Sequence, residues 1–138
     1  MATETMDEHA LNTGRTFCWH ELYVPKTQEA LDFYTTALDF GTDTMEMGEG
    51  RTYHMLTRNG KGVAGVWGTT ENPEMAEAPP HWAVYLTVDD VDAKVEKCTS
   101  MGATLVVPAM DVPSVGRMAL IQDPFGAHIW LYKEAAQQ

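Results

Sequence analysis

Apolar and polar positions follow the same rhythm twice along this chain. From Phe17 to Val24, aromatic and β-branched residues make a strand signal that Pro25 closes. A stripe of Ala30, Leu31, Phe33, Tyr34, Ala37 and Leu38 then recurs at helical spacing. Thr27 is the expected N-cap of that helix and Gly41 its C-terminal stop. Thr42 to Met47, Tyr53 to Thr57 and Val63 to Trp67 read as three strands, with turns at Gly48-Glu49-Gly50 and Asn59-Gly60. The second copy opens with a strand from Trp82 to Val88. A helix follows, capped by Asp89-Asp90, with Val91, Val95, Cys98 and Met101 on its apolar side and Gly102 at its end. Ala103 to Val107 is a strand that Pro108 is expected to break, and Val112 to Gly116 is a loop. Arg117 to Gln122 and Ala127 to Tyr132 are the last strands, separated by the turn Asp123-Pro124-Phe125-Gly126.

A repeat of this kind decides the fold class before any single residue does. The expected fold is α+β, one domain over 15–134 built of two tandem βαβββ modules, 15–68 and 81–133. A linker over 69–80, rich in proline and glutamate and anchored by Met75, joins them. A U-shaped, partly closed mixed sheet with the helices outside would bury both helical stripes and leave a concave face as the pocket.

Composition changes this picture mainly by exclusion. The 138 residues can bury about two thirds of the unfolded surface without a covalent staple. The net charge of −11 argues against nucleic acid and anionic membranes, both of which call for clustered Lys and Arg. No apolar run is long enough to span a bilayer. Residues 1–14 are polar and acidic and read as a flexible tail, not as a signal peptide. Cys18 and Cys98 read as buried thiols in a reducing compartment, so a cytoplasmic location is expected.

Several short motifs occur in order: Trp19-His20-Glu21-Leu22, Phe33-Tyr34, Val88-Asp89-Asp90-Val91-Asp92-Ala93, Gly102-Ala103, Gly116-Arg117 and Asp123-Pro124-Phe125-Gly126. On these the chain, over Thr16 to Lys133, resembles the vicinal-oxygen-chelate superfamily of glyoxalases, bleomycin-resistance proteins, thiol transferases and extradiol dioxygenases. It is most similar there to the small glyoxalase-like proteins. The resemblance implies a divalent ion held by side chains at matching strand positions of both halves. By register those positions carry Trp19, Gly65, Ala83 and Trp130. None offers a metal-ligating side chain, so neither metal nor other cofactor is expected.

Strand alternation then defines what faces the expected pocket. Trp19, Glu21 and Tyr23 share one side of the first strand; Val63, Gly65 and Trp67 share a side of another. His81, Ala83, Tyr85 and Thr87 do so in the second half, with His128, Trp130 and Tyr132. Trp19, Tyr23, Trp67, Tyr85, Trp130 and Tyr132 are the candidate ligand-binding rings, and Glu21, His81 and His128 the candidate catalytic groups. His20, Leu22, Val24, Val84, Leu86 and Val88 would face the helices. A partly desolvated Glu21 suits a general base or a ligand anchor, or else a structural link to Tyr or Trp donors. The rings could equally fill the core. Arg117 is expected to pair with surface acids, and Asp89, Asp90 and Asp92 to cap the second helix.

The expected function is binding of a small apolar or aromatic molecule, with a metal-independent lyase or isomerase using Glu21 as base as its enzymatic form. The alternatives are a sequestering protein of the bleomycin-resistance kind and a metal-dependent glyoxalase-type lyase or dioxygenase. A homodimer is the expected assembly.

Overall fold

The computed structural model describes residues 17–48, 50–75 and 77–135, so the acidic segment 1–14 lies outside the described residues. Contacts divide these into two units: Trp19–Ala83, and Val84 onward together with Phe17 and Cys18. The architecture is α+β, two successive βαβββ modules.

The first unit contains most of β1 (Phe17–Val24), then α1 (Thr27–Leu38), β2 (Gly41–Gly48), β3 (Arg51–Arg58) and β4 (Lys61–Gly68). Its strands lie in the order β2-β3-β4-β1. The β1–β4 pair is parallel, with Glu21 opposite Gly65 and Tyr23 opposite Trp67. The helix-facing side carries Leu22, Leu56, Ala64 and Val66 against Ala30 and Leu31 of α1. Leu56 is fully buried.

Three expectations fail here for physical reasons. Thr27 is not the cap of α1 but its first helical residue, after an extended Lys26 that makes no side-chain cap bond. The orphan helix N–H is served from the linker: the Thr27 N–H and hydroxyl reach Glu71 Oε1 at 3.4 and 2.8 Å. The helix ends before Gly41, on Asp39 in the left-handed region at φ 64°, whose N–H returns to the Tyr34 carbonyl. Val63 was expected on the pocket side. The β3–β4 register slips between Leu56 and Thr57, so Val63 is the extra residue of a bulge and packs against the helix-side cluster.

The second unit takes up β5 (His81–Thr87) from Val84 onward, then α2 (Val91–Ser100), β6 (Thr104–Val112), β7 (Gly116–Gln122) and β8 (His128–Glu134). Its order is β5-β8-β7-β6. The core joins Val88, Val91, Ala119, Ile121 and Leu131, with Val95 and Cys98 of α2 packed against them. Asp90 caps α2, its carboxylate accepting from the Ala93 N–H at 3.0 Å. Asp92 does not cap; it holds Arg117 bidentately at 2.8 and 2.9 Å, and Asp111 takes a third contact at 3.1 Å. Both acids are largely exposed, so these pairs add little stability.

Pro108 does not break β6. The strand runs through it, with the ladder shifting between Val107 and Met110. Proline lacks an N–H, and the last strand of a unit tolerates that loss as a bulge. Two short 3-10 turns, Thr69–Glu71 and Pro73–Met75, give the linker local structure.

Candidate functional site

In the first unit the side of the sheet away from α1 is organised around Glu21. Its side chain is 7% exposed. Tyr53 donates its hydroxyl to Glu21 Oε2 at 2.6 Å, and Tyr23 donates to Oε1 at 3.2 Å. Trp19 in turn donates its indole N–H to the Tyr53 hydroxyl oxygen at 2.9 Å. A line of hydrogen bonds therefore runs Trp19, Tyr53, Glu21, Tyr23. Trp67 lies against the Tyr53 ring at 5.3 Å between centroids, tilted by 49°.

Gly65 makes this possible. It faces Glu21 across the β1–β4 pair and Met55 across β3–β4, and the Tyr53 ring lies directly over it. A Cβ at Gly65 would overlap the Tyr53 hydroxyl and ring carbons. Absence of a side chain lets the ring approach the backbone and reach the carboxylate. Burial, and then the charge and hydrogen bond of Glu21, hold the Tyr53 phenol well above the ordinary tyrosine range. Tyr53 thus remains a neutral donor.

His81 is exposed and stacks on Tyr23, with centroids 4.8 Å apart and planes within 1°. Its Nδ1 lies 2.6 Å from the Pro79 carbonyl oxygen. A carbonyl only accepts, so the proton of the neutral ring belongs on Nδ1. His81 therefore meets the Glu21 network through a ring face and not through a proton-carrying bond. His20, expected to face the helix, is exposed, with Nδ1 3.5 Å from the Val63 carbonyl oxygen.

In the second unit the parallel β5–β8 register sets Tyr85 opposite Trp130 and Thr87 opposite Tyr132. Tyr85 and Trp130 stack at 5.2 Å and 7°, and Tyr132 meets Tyr85 edge-on at 6.3 Å. The Tyr132 hydroxyl donates to the Val115 carbonyl at 2.7 Å. Burial, with smaller contributions from Cys18 and Glu134, pushes the Tyr132 phenol up to about 12. The Cys18 thiol donates to the Tyr85 carbonyl at 3.7 Å and is also pushed up, chiefly by burial. His128 stands exposed at the start of β8.

The structure thus gathers Trp19, Glu21, Tyr23, Trp67 and His81 in one unit, and Tyr85, Trp130 and Tyr132 in the other. Tyr53 was missed by strand alternation alone. The available signal was Gly65: a glycine inside an apolar strand marks a close approach, and Tyr53 lies two residues before its neighbour Met55.

The family-implied divalent ion does not fit these residues. Trp19 can only donate, Gly65 is covered by Tyr53, and Glu21 accepts from two phenols. Among the described residues no three His, Cys, Asp or Glu side chains group as a metal would need.

Raised phenols have a measurable consequence. The folded state holds these protons more tightly than the unfolded chain. Their contribution to stability is therefore intact below pH 10 and is lost as pH rises through the folded values, between 10 and about 12 for Tyr132. An alkaline titration followed at 295 nm should show Tyr132 ionising near pH 12, and Tyr53 later still, together with unfolding. Tyr53→Phe should delete the latest component. Its persistence in that variant would refute the assignment.

The fold and strand register define a glyoxalase-type domain, and the chain belongs to the Glyoxalase/Bleomycin resistance protein/Dioxygenase superfamily, which residues 15–131 match. The Mycobacterium tuberculosis protein named "Putative glyoxylase CFP32" is 38% identical over 128 residues, covering 93% of this chain and 48% of the relative. The anthracycline biosynthesis protein DnrV of Streptomyces peucetius is 26% identical over 130 residues, covering 87% and 47% respectively. The chain thus spans about half the length of these curated relatives. Methylmalonyl-CoA epimerase from Mycobacterium tuberculosis has a TM-score of 0.56 at 19% identity, covering 94% of this chain and 96% of that one, a likeness of fold alone. Among the described residues, no helix is long and apolar enough to cross a membrane.

Proposed function

We propose that this chain binds a small, largely aromatic molecule against its ring faces, without a metal, and that Glu21 is the polar anchor. The observation behind this reading is the phenol-clamped Glu21 among the rings of Trp19, Tyr53 and Trp67. Flat rings attract planar ligands by stacking, and Glu21 places a carboxylate among them. Anthracyclines are polycyclic aromatic molecules, so the relative named for their biosynthesis accords with this ligand class.

Binding is favoured over lyase or isomerase chemistry. A general base needs a lone pair directed at substrate, whereas both Glu21 oxygens accept phenolic protons. His81 spends Nδ1 on Pro79. We further propose a cytoplasmic homodimer, the second copy packing on exposed strands such as β2, where Met45 and Met47 stand out.

The test is titration of tag-free, EDTA-treated protein with fluorene, followed by tryptophan fluorescence. Saturable quenching with a micromolar Kd, unchanged by prior EDTA, is the expected result. Absence of saturable binding would defeat the reading, as would near-stoichiometric zinc, nickel, manganese or iron on which binding depends.

A further inference from the structure

His81 opens β5 and is exposed, yet its ring is held in one orientation. It lies parallel to the Tyr23 ring, with centroids 4.8 Å apart and planes within 1°. Its Nδ1 donates to the Pro79 carbonyl at 2.6 Å. Pro79 and Pro80 fix φ in the two preceding residues, so stiff backbone presents that carbonyl. An exposed side chain ordinarily samples several rotamers, and restricting it costs entropy. Here a stack and a hydrogen bond together set the ring before any ligand arrives.

The bond to Pro79 decides what the other nitrogen can do. With the proton on Nδ1, Nε2 of the neutral ring carries a lone pair and only accepts. Among the described residues Nε2 has no hydrogen-bond partner, and it belongs to a side chain open to solvent. Its place in the first unit matters as much. Tyr23 donates to Glu21 and stands opposite Trp67 across the β1–β4 pair. Tyr23 and Tyr53 are buried, and Trp19 and Trp67 are half-buried. His81, stacked on Tyr23, is therefore the exposed end of the ring cluster around Glu21, and all of these residues belong to the same unit.

We infer that His81 Nε2 is a ligand-reading acceptor: it recognises a hydroxyl donor on an aromatic molecule held against the rings of the first unit. The inference rests on the aromatic-binding reading above and adds the polar group that the ligand carries. An acceptor already fixed in place loses little further freedom on binding, so most of the new hydrogen bond appears as affinity. It also separates a hydroxyl from an ether on the same ring frame, because only the hydroxyl supplies a proton.

Fluorene, 2-hydroxyfluorene and 2-methoxyfluorene provide the test, since they share one ring frame and only the hydroxy compound carries a donor. Each is measured by equilibrium dialysis against wild type, His81→Phe and His20→Phe, in mildly alkaline buffer that keeps imidazole neutral. Each variant is also melted without ligand. Wild type should bind 2-hydroxyfluorene about three- to tenfold more tightly than either other compound, the size of one added hydrogen bond. His81→Phe keeps a ring to stack on Tyr23 and removes Nε2. It should equalise the three compounds while fluorene affinity and melting temperature stay close to wild type. His20→Phe should keep the preference. The inference falls if wild type binds the hydroxy and methoxy compounds alike, if His81→Phe retains the preference, or if His20→Phe loses it. It falls too if His81→Phe unfolds or loses fluorene, since His81 would then be holding the ring cluster together and not reading the ligand. Failure of all three compounds to bind wild type would defeat the aromatic-binding reading and this inference with it. Fluorene binding without any preference would defeat the inference alone.

Discussion

Gly65→Ala should lower the unfolding free energy by about 3 kcal/mol, combining the usual cost of overpacking with the loss of buried hydrogen bonds. In a domain of this size that corresponds to a melting temperature lower by about 10 °C. The added methyl would occupy the space of the Tyr53 hydroxyl and ring carbons. Tyr53 cannot yield cheaply, because it accepts from Trp19 and donates to Glu21. If the ring swings out, Glu21 loses its shortest hydrogen bond and the Trp19 N–H loses its acceptor. Two measurements bear on this. Thermal melting gives the loss, and the alkaline titration should show Tyr53 ionising earlier than in wild type. Combining Gly65→Ala with Tyr53→Leu removes the collision, so the two costs should be clearly less than additive. A loss below about 1 kcal/mol with Tyr53 still ionising last would contradict this packing.

Much of this geometry can be traced to the order of residues. Alternation in β1 placed Trp19, Glu21 and Tyr23 on one side and Leu22 and Val24 on the other, and the core follows that division. The same rule separated Tyr85 and Thr87 from Leu86 and Val88. Period-two arguments work here because one side must meet a helix. They fail where a local irregularity resets the count, as at the Val63 bulge, or where a proline is absorbed without ending the strand, as at Pro108.

Contacts between segments distant in sequence were less legible. Nothing local to Thr27 announces that Glu71 will serve the start of α1. Nothing local to Glu21 announces Tyr53, which arrives through the register of two further strands and the missing side chain of Gly65. The three candidate acid–base residues illustrate the limit. Glu21 is enclosed by phenols, His81 stacks on Tyr23, and His128 stands exposed in the other unit. Residue type and face indicate what a side chain could do. Its partners decide what remains available for chemistry.

Glu21 itself gives the other large effect. Glu21→Ala should cost about 3 kcal/mol, because it leaves a gap and removes the acceptor that two buried phenols share. Glu21→Gln should cost about 1 kcal/mol, since the amide keeps the shape and an acceptor while giving up the charge-assisted character of the bonds. The informative experiment is a double-mutant cycle in urea between Glu21→Gln and Tyr53→Phe. The 2.6 Å contact of a phenol with a buried carboxylate should give a coupling of about 1.5–3 kcal/mol. Tyr23→Phe in the same cycle should couple more weakly, as its bond is 3.2 Å long. Equal couplings, or none with Tyr53, would mean that the carboxylate is not held in the way described. Affinity for fluorene separates this structural contribution from the anchoring one. Fluorene has no polar group, so Glu21→Gln should leave its binding within about twofold while the protein is folded, because no hydrogen bond to that ligand is at stake. A tenfold loss for fluorene would instead mean that the Glu21 charge shapes the ring faces themselves, and that anchor and platform act as one unit.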